Sequence, residues 1–247
     1  VREREAMIMN SIFEHHPVLR NNLVNVPDNL ENISFEGGDV LIARDDIIII
    51  GIGKRTTSQG IDYIIEKFSQ HKEPLHVIVQ ELPETPESFI HLDMTFTMLD
   101  MDKCMIYEPL IIRQNRYQTV HISIDNGKVK HIKTTVNIPT VLKSLGMDLM
   151  PVYCGGRKDP VIQEREQWHS GANFFALGPG KIIGYNRNVY TTEEVHNSGL
   201  EIIKANDVIS NKIDLDAYDK YLITIDGSEL SRGGGGARCM TMPLKRK

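Results

Sequence analysis

Phe35-Glu36-Gly37-Gly38-Asp39-Val40-Leu41-Ile42-Ala43-Arg44-Asp45-Asp46-Ile47-Ile48-Ile49-Ile50 is the stretch whose reading decides the fold class. Val40 to Ala43 and Ile47 to Ile50 are short apolar runs, and Asp45-Asp46 between them has the turn chemistry that joins two strands. Gly51-Ile52-Gly53-Lys54-Arg55 leads out of the second strand. Thr56 or Thr57 then supplies a side-chain oxygen to cap a helix from Ser58 to Gln70. Leu75 to Val79 returns as a strand. Hairpin, helix and strand in that order predict an α/β fold.

The same arrangement recurs outward from this stretch, without shared letters. Arg2 to His15 reads as an amphipathic helix with an apolar stripe of Ala6, Met7, Met9, Ile12 and Phe13, stopped by Pro17. Asn21 to Asn32 is polar and turn-rich. The second half of His91 to Asp100 alternates as a strand, with Lys103 to Tyr107 as its antiparallel partner. His121 to Ile132 is a hairpin around Asp125-Asn126-Gly127, since Asn-Gly favours left-handed turn conformations. Pro139 to Leu145 is a short helix ended by Gly146, and Met150 to Tyr153 is a strand. Ala172 to Leu177 and Lys181 to Tyr185 flank the turn at Gly178-Pro179-Gly180. Thr192 to Ser198 is a helix, and Glu201 to Ile203 and Leu222 to Ile225 are the last strands. Without a linker or a low-complexity segment beyond the glycine run near the end, the chain reads as one domain over residues 1–247. No Gly-x-Gly-x-x-Gly unit or Walker loop points to a nucleotide.

The 247 residues carry a formal net charge of −5, which gives no electrostatic case for nucleic acid or an anionic membrane. No apolar run approaches the roughly 20 residues that span a bilayer. Cys104, Cys154 and Cys239 are widely separated, which argues against a disulfide framework or a zinc ribbon and fits a reducing cytoplasm. The sequence opens at Val1 in mid-helix pattern, as a piece of something longer does.

Near the end, Arg232-Gly233-Gly234-Gly235-Gly236-Ala237-Arg238-Cys239 sets a cysteine beside two arginines after four glycines. Four glycines suit a loop that moves or whose backbone approaches a ligand. Cationic neighbours favour the thiolate, the nucleophilic form. Glu36-Gly37-Gly38-Asp39 and His91-Leu92-Asp93 add carboxylates and a histidine, which completes the ingredients of a covalent thiol enzyme. Taken singly, each also has a structural reading: a buried cysteine, a satisfied histidine, a turn. Zinc held by His91, Asp93 and Cys239 is a further alternative, although no pair has the usual spacing.

The combination is more specific. Phe35 to Val40, Gly51 to Thr57, His91-Leu92-Asp93-Met94-Thr95-Phe96-Thr97, Arg165-Glu166-Gln167-Trp168, Pro179-Gly180 with Tyr185-Asn186-Arg187-Asn188, and Gly227 to Arg232 running on to Cys239-Met240-Thr241-Met242-Pro243-Leu244 together resemble arginine deiminase. The motifs keep that family's order and span nearly the whole chain. The resemblance implies an α/β barrel-like propeller of the pentein type, built of repeated modules about a pseudo-fivefold axis and incomplete here at its N-terminus. It implies hydrolysis of L-arginine to citrulline and ammonia, with no metal or other cofactor. Asp93 would bind the guanidinium, Glu36 would hold His91 charged and oriented, and Cys239 would attack the guanidino carbon. His91 would protonate the departing ammonia and then activate water. Arg2 and Arg55 match positions that bind the substrate's α-carboxylate; Cys104 and Cys154 match no catalytic position. Partners beyond the small-molecule substrate are limited to a homo-oligomer, with neither nucleic acid nor membrane.

Two departures stand out. The family's Phe-Thr-Arg-Asp motif, with its second guanidinium-binding aspartate, is absent from this sequence, as are the first module and an inserted helical domain. A propeller lacking a module is expected to expose an apolar edge, leaving the natural-length protein active and this piece impaired. Gly234 stands where the family has a substrate-contacting, gating arginine, which bears on affinity and selectivity. A related hydrolase or amidinotransferase acting on another guanidine, and a non-catalytic homologue that kept the fold, are the competing readings.

Overall fold

A computed structural model describes residues 3–20, 33–70, 73–233 and 235–243. The chain forms two compact units, Val1–Asn32 and Ile33–Lys247. The first holds helix α1 (Glu3–His15), where Asn10 Nδ2 donates to Glu14 Oε1 one turn on, at 2.9 Å. Met7, Ile8 and Ile12 on this helix are exposed. Asn21 to Asn32, read as turn-rich, lies outside the described residues.

The second unit carries three sheets. Strands β1 (Val40–Arg44) and β2 (Ile47–Ile52) form the first hairpin, and α2 (Ser58–Phe68) crosses over to β3 (Leu75–Glu81). Thr57 caps α2, its hydroxyl accepting from Gly60 N at 3.1 Å. Strand β4 (Phe96–Asp100) pairs with β5 (Lys103–Ile106), which is followed by the short helix α3 (Glu108–Ile111). The β6 (Thr119–Asp125) and β7 (Lys128–Thr135) hairpin turns at Asn126-Gly127, both with positive φ, as its two letters require. Helix α4 (Ile138–Ser144) leads to β8 (Met150–Tyr153), and α5 (Pro160–Trp168) to β9 (Phe175–Gly178) and β10 (Lys181–Tyr185). Then come α6 (Val189–Asn197), β11 (Glu201–Lys204), α7 (Ala205–Ile209), β12 (Tyr221–Ile225) and α8 (Leu230–Gly233).

Sheet order is β1-β2-β3-β6-β7, β4-β5-β8 and β11-β12-β10-β9. A repeat is visible in the pairing. In each sheet an antiparallel hairpin presents its second strand to a parallel partner: β2 to β3, β5 to β8, β10 to β12. Each of these hairpins closes on a two-residue turn with a register shift beside it, at Ile42/Arg44, Met98/Asp100 and Lys181/Ile182. The sheets are open, and no closed barrel forms among the described residues. The architecture is thus a mixed α/β fold, coarser than the barrel-like propeller, incomplete at its N-terminus, that the resemblance implies.

Side-chain alternation divides the cores. In β2, Ile48 and Ile50 pack with Ile61, Ile64 and Ile65 of α2, while Ile47 and Ile49 face a second core with Ile106, Val141 and Leu142. A strand buried on both faces is necessarily a continuous apolar run, which is why four isoleucines stand in a row. Strand β5 likewise gives Cys104 and Ile106 to that second core and Met105 to a third, with Phe174, Ile182 and Leu222. Cys104 and Cys154 are buried in these cores, and burial pushes both thiols up to about 12.

Candidate active site

Several of the candidate residues sit in successive modules on the segment just ahead of the first strand of a hairpin, whereas Arg55 follows β2 and Cys239 follows β12. Glu36 and Asp39 bracket the 3-10 turn that enters β1. Asp93 lies on the 3-10 turn Leu92–Met94 that leads into β4, and His91 immediately precedes that turn. Asn173 lies just ahead of β9.

Asp39 clamps the first two turns together. Thr56 Oγ1 donates to Asp39 Oδ2 at 2.6 Å, and Leu92 N donates to Asp39 Oδ1 at 2.8 Å. Burial pushes the Asp39 carboxyl up to about 6, opposed chiefly by the Thr56 hydroxyl. The clamp brings Glu36 Oε2 to 2.7 Å from His91 Nε2. A Cβ at Gly38 would stand 2.7 Å from His91 Cγ, so only glycine lets the first turn pack flat against the imidazole. Arg55 reaches the same carboxylate from the other side, with Nη1 at 3.3 Å from Glu36 Oε1. Glu36, His91 and Arg55 are therefore gathered as one group.

Asp93 and Cys239 are gathered as a second. Asp93 is fully buried, and its Oδ1 has no hydrogen-bond partner. Arg238 Nη1 donates to Asp93 Oδ2 at 2.7 Å, and the Cys239 sulfur lies 4.0 Å from that oxygen and 3.9 Å from Met94 Sδ. Burial raises the Asp93 carboxyl above the usual carboxylate range in spite of Arg238 and His91. The cysteine loop is held at its backbone. Asn173 Oδ1 accepts from Arg238 N at 2.8 Å and Cys239 N at 3.3 Å, and Tyr185 Oη donates to Gly235 O at 2.9 Å.

Two expectations need correction or limits. Arg238 beside the thiol was expected to favour thiolate. Its guanidinium instead serves Asp93, and the packing around the sulfur together with the Asp93 charge pushes the thiol up to about 11, although the residue as a whole is exposed. The Gly236 backbone, Arg238 and Asn173 pull it down only part way. Arg2 and Gly234 lie outside the described residues. Among the described residues no three His, Cys, Asp or Glu side chains are grouped to hold a metal ion. Sequence reading passed over Asn173, which in Gly171-Ala172-Asn173 carries no pattern beyond the start of a strand.

A family model described as arginine deiminase matches residues 1–246. The chain belongs to the arginine deiminase family. Curated arginine deiminases of Listeria monocytogenes serotype 4a and Oenococcus oeni are 35% and 29% identical to it over its full length. The chain spans 55% of the length of each. Among solved structures, DDAH from Pseudomonas aeruginosa in complex with citrulline aligns with a TM-score of 0.56 at 16% identity, covering 97% of this chain and 65% of that one. AgrE with L-arginine aligns at 0.54 and 15%, over 92% of this chain and 26% of its own. At such identities these structures establish the shared fold. Among the described residues no helix is long and apolar enough to cross a membrane.

Proposed function

We propose that the protein hydrolyses the guanidino group of L-arginine to citrulline and ammonia through a covalent cysteine adduct. The observation that carries this reading is a guanidinium already on the site: Arg238 Nη1 stands 2.7 Å from Asp93 Oδ2, with the Cys239 sulfur 4.0 Å from the same oxygen. A buried carboxylate with one oxygen still unpartnered suits a bidentate cationic ligand. Substrate arginine would take over Asp93, setting its guanidino carbon beside the sulfur.

The chemistry follows from the charges. Burial raises both the resting thiol and the Asp93 carboxyl, and the thiol, pushed up to about 11, keeps its proton at rest. A substrate cation lowers both at the moment of binding, which couples thiolate formation to substrate. The sulfur then bonds to the guanidino carbon, a terminal C–N bond breaks, and the leaving nitrogen takes a proton from His91 to depart as ammonia. The product is a thiouronium on Cys239. His91 next removes a proton from water; the oxygen bonds to the carbon, the C–S bond breaks, and citrulline leaves with the thiolate restored. With His91 Nε2 on Glu36, the nitrogen left for proton traffic is Nδ1. Arg55 Nε is buried without a hydrogen-bond partner, which supports Arg55 as a receiver of the α-carboxylate; Arg2 joins it by the resemblance, and Gly234 modifies selectivity. No cofactor enters the scheme.

We infer one catalytic domain over residues 1–247, and the repeated hairpin-plus-parallel-strand arrangement within Ile33–Lys247 supports a propeller of modules. Free thiols at Cys104, Cys154 and Cys239 support a reducing compartment, the cytoplasm.

The test is release of citrulline and ammonia in equal amounts from L-arginine by the natural-length protein, with Cys239→Ser as control. Turnover of agmatine or methylated arginines with none of L-arginine would replace the substrate and keep the site.

A further inference from the structure

We propose that Asn173 is a positioning residue for the reaction, tying the cysteine loop to the guanidinium-binding turn through one carboxamide. Its Oδ1 accepts from two successive amides, Arg238 N at 2.8 Å and Cys239 N at 3.3 Å. Its Nδ2 donates to the Asp93 backbone oxygen at 3.1 Å. The residue is 2% exposed, so these bonds are shielded from water. Nucleophile and carboxylate belong to segments 146 positions apart in sequence, and their side chains are not bonded to each other beyond a 4.0 Å sulfur–oxygen approach. Asn173 bridges that gap directly.

Three further observations converge on the assignment. Asn173 takes, ahead of β9, the place that Glu36 and Asp39 take ahead of β1 and His91 and Asp93 ahead of β4. The loop is cut to fit it: a Cβ at Gly236 would lie 2.2 Å from Asn173 Oδ1, so the backbone of the glycine run comes into direct contact with the carboxamide. Asn173 also acts on the chemistry, since its side chain pulls down both the Cys239 thiol and the Asp93 carboxyl. A carboxamide supplies an acceptor for the loop and, on a separate atom, a donor for Asp93 without adding charge beside the thiol.

The inference rests on the arginine-hydrolysis reading, and the experiment separates the two. Citrulline production by the natural-length wild type establishes the reading on its own. In Asn173→Ala, kcat is expected to fall about 100-fold with KM changed by less than about 3-fold, the signature of a misplaced nucleophile. Alkylation of Cys239 by iodoacetamide, followed against pH, is expected to titrate at higher pH than in wild type. Asn173→Asp keeps the shape and the acceptor, loses the donor, and puts a charge beside Asp93; its alkylation profile is expected to move further upward. The two variants together guard against simple unfolding, since the near-isosteric Asp preserves the loop bonds. Folded variants with unchanged kcat and an unchanged alkylation profile, or with only a lowered melting temperature, would overturn the proposal. Wild type without citrulline, but with the alkylation shifts present, would overturn the substrate and keep the positioning role.

Discussion

Arg238 Nη1 lies 2.7 Å from Asp93 Oδ2, so the chain's own guanidinium stands on the carboxylate that the family resemblance assigns to the substrate's. The two residues are 145 positions apart, and only the fold brings them together. Asp93 keeps a second oxygen, Oδ1, buried and unpartnered. On the proposed function, substrate arginine competes with Arg238 for the same charge.

Arg238→Ala removes that competitor and leaves a buried carboxylate without its cation. Stability is expected to fall by about 3 kcal/mol or more, the usual result of stripping one partner from a buried ion pair, and KM for arginine to fall several-fold. Thermal melting of the variant with and without millimolar guanidinium ion checks the first point: the ion should restore more stability to the variant than to wild type. Steady-state kinetics check the second.

Asp93→Asn separates thiol reactivity from catalysis. Its charge is, after burial, the larger of the influences that raise the Cys239 thiol to about 11. Without it the thiol is expected to titrate lower and to react faster with iodoacetamide at pH 8. Citrulline production should nevertheless collapse by about 100-fold or more, because the guanidinium loses its carboxylate.

Gly38→Ala acts on the histidine alone. The added Cβ would stand 2.7 Å from the His91 ring and push it off Glu36. The expected result is a kcat loss of about 100-fold with Cys239 alkylation unchanged. A loss of both together would place the damage in the fold instead.

Asp39 gives a prediction in pH. Its carboxyl titrates at about 6 when folded, above the ordinary 3.8, so the folded state holds the proton more tightly. The stability this group contributes is complete below about pH 4 and is lost as pH rises through about 6. Asp39→Asn keeps an acceptor for Leu92 N and removes the titration. Relative to wild type, the variant should gain up to about 3 kcal/mol between pH 4 and pH 7, from about two pKa steps at 1.36 kcal/mol each. Denaturant melts across that range measure it.

Much of the fold was open to sequence reading because its strands announce themselves chemically. Ile47 to Ile50, buried on both faces, and Asn126-Gly127, with its positive φ values, admit few alternatives. Helix α2 was legible through Thr57, whose cap is formed as expected. Helix α7 was passed over: Ala205–Ile209 is one short turn without a buried residue, so no periodicity marks it. Of the candidate site, the motifs single out Glu36, His91, Asp93 and Cys239, and the structure bonds Glu36 to His91 and sets Cys239 near Asp93. What sequence spacing does not carry is which charge faces which. Arg238, adjacent to the cysteine in sequence, spends its guanidinium on Asp93 and leaves the thiol high. Asn173 escaped notice for the same reason, since a lone asparagine gains meaning only from the two loop amides that meet it.

The most direct test of the central claim is to quench the natural-length protein with acid during turnover of isotopically labelled L-arginine and measure its mass. Covalent catalysis at Cys239 predicts an adduct of arginine less ammonia, on the peptide containing Cys239 and absent from Cys239→Ser. Citrulline formed at full rate with no label on that peptide, in wild type and in Cys239→Ser alike, would contradict it.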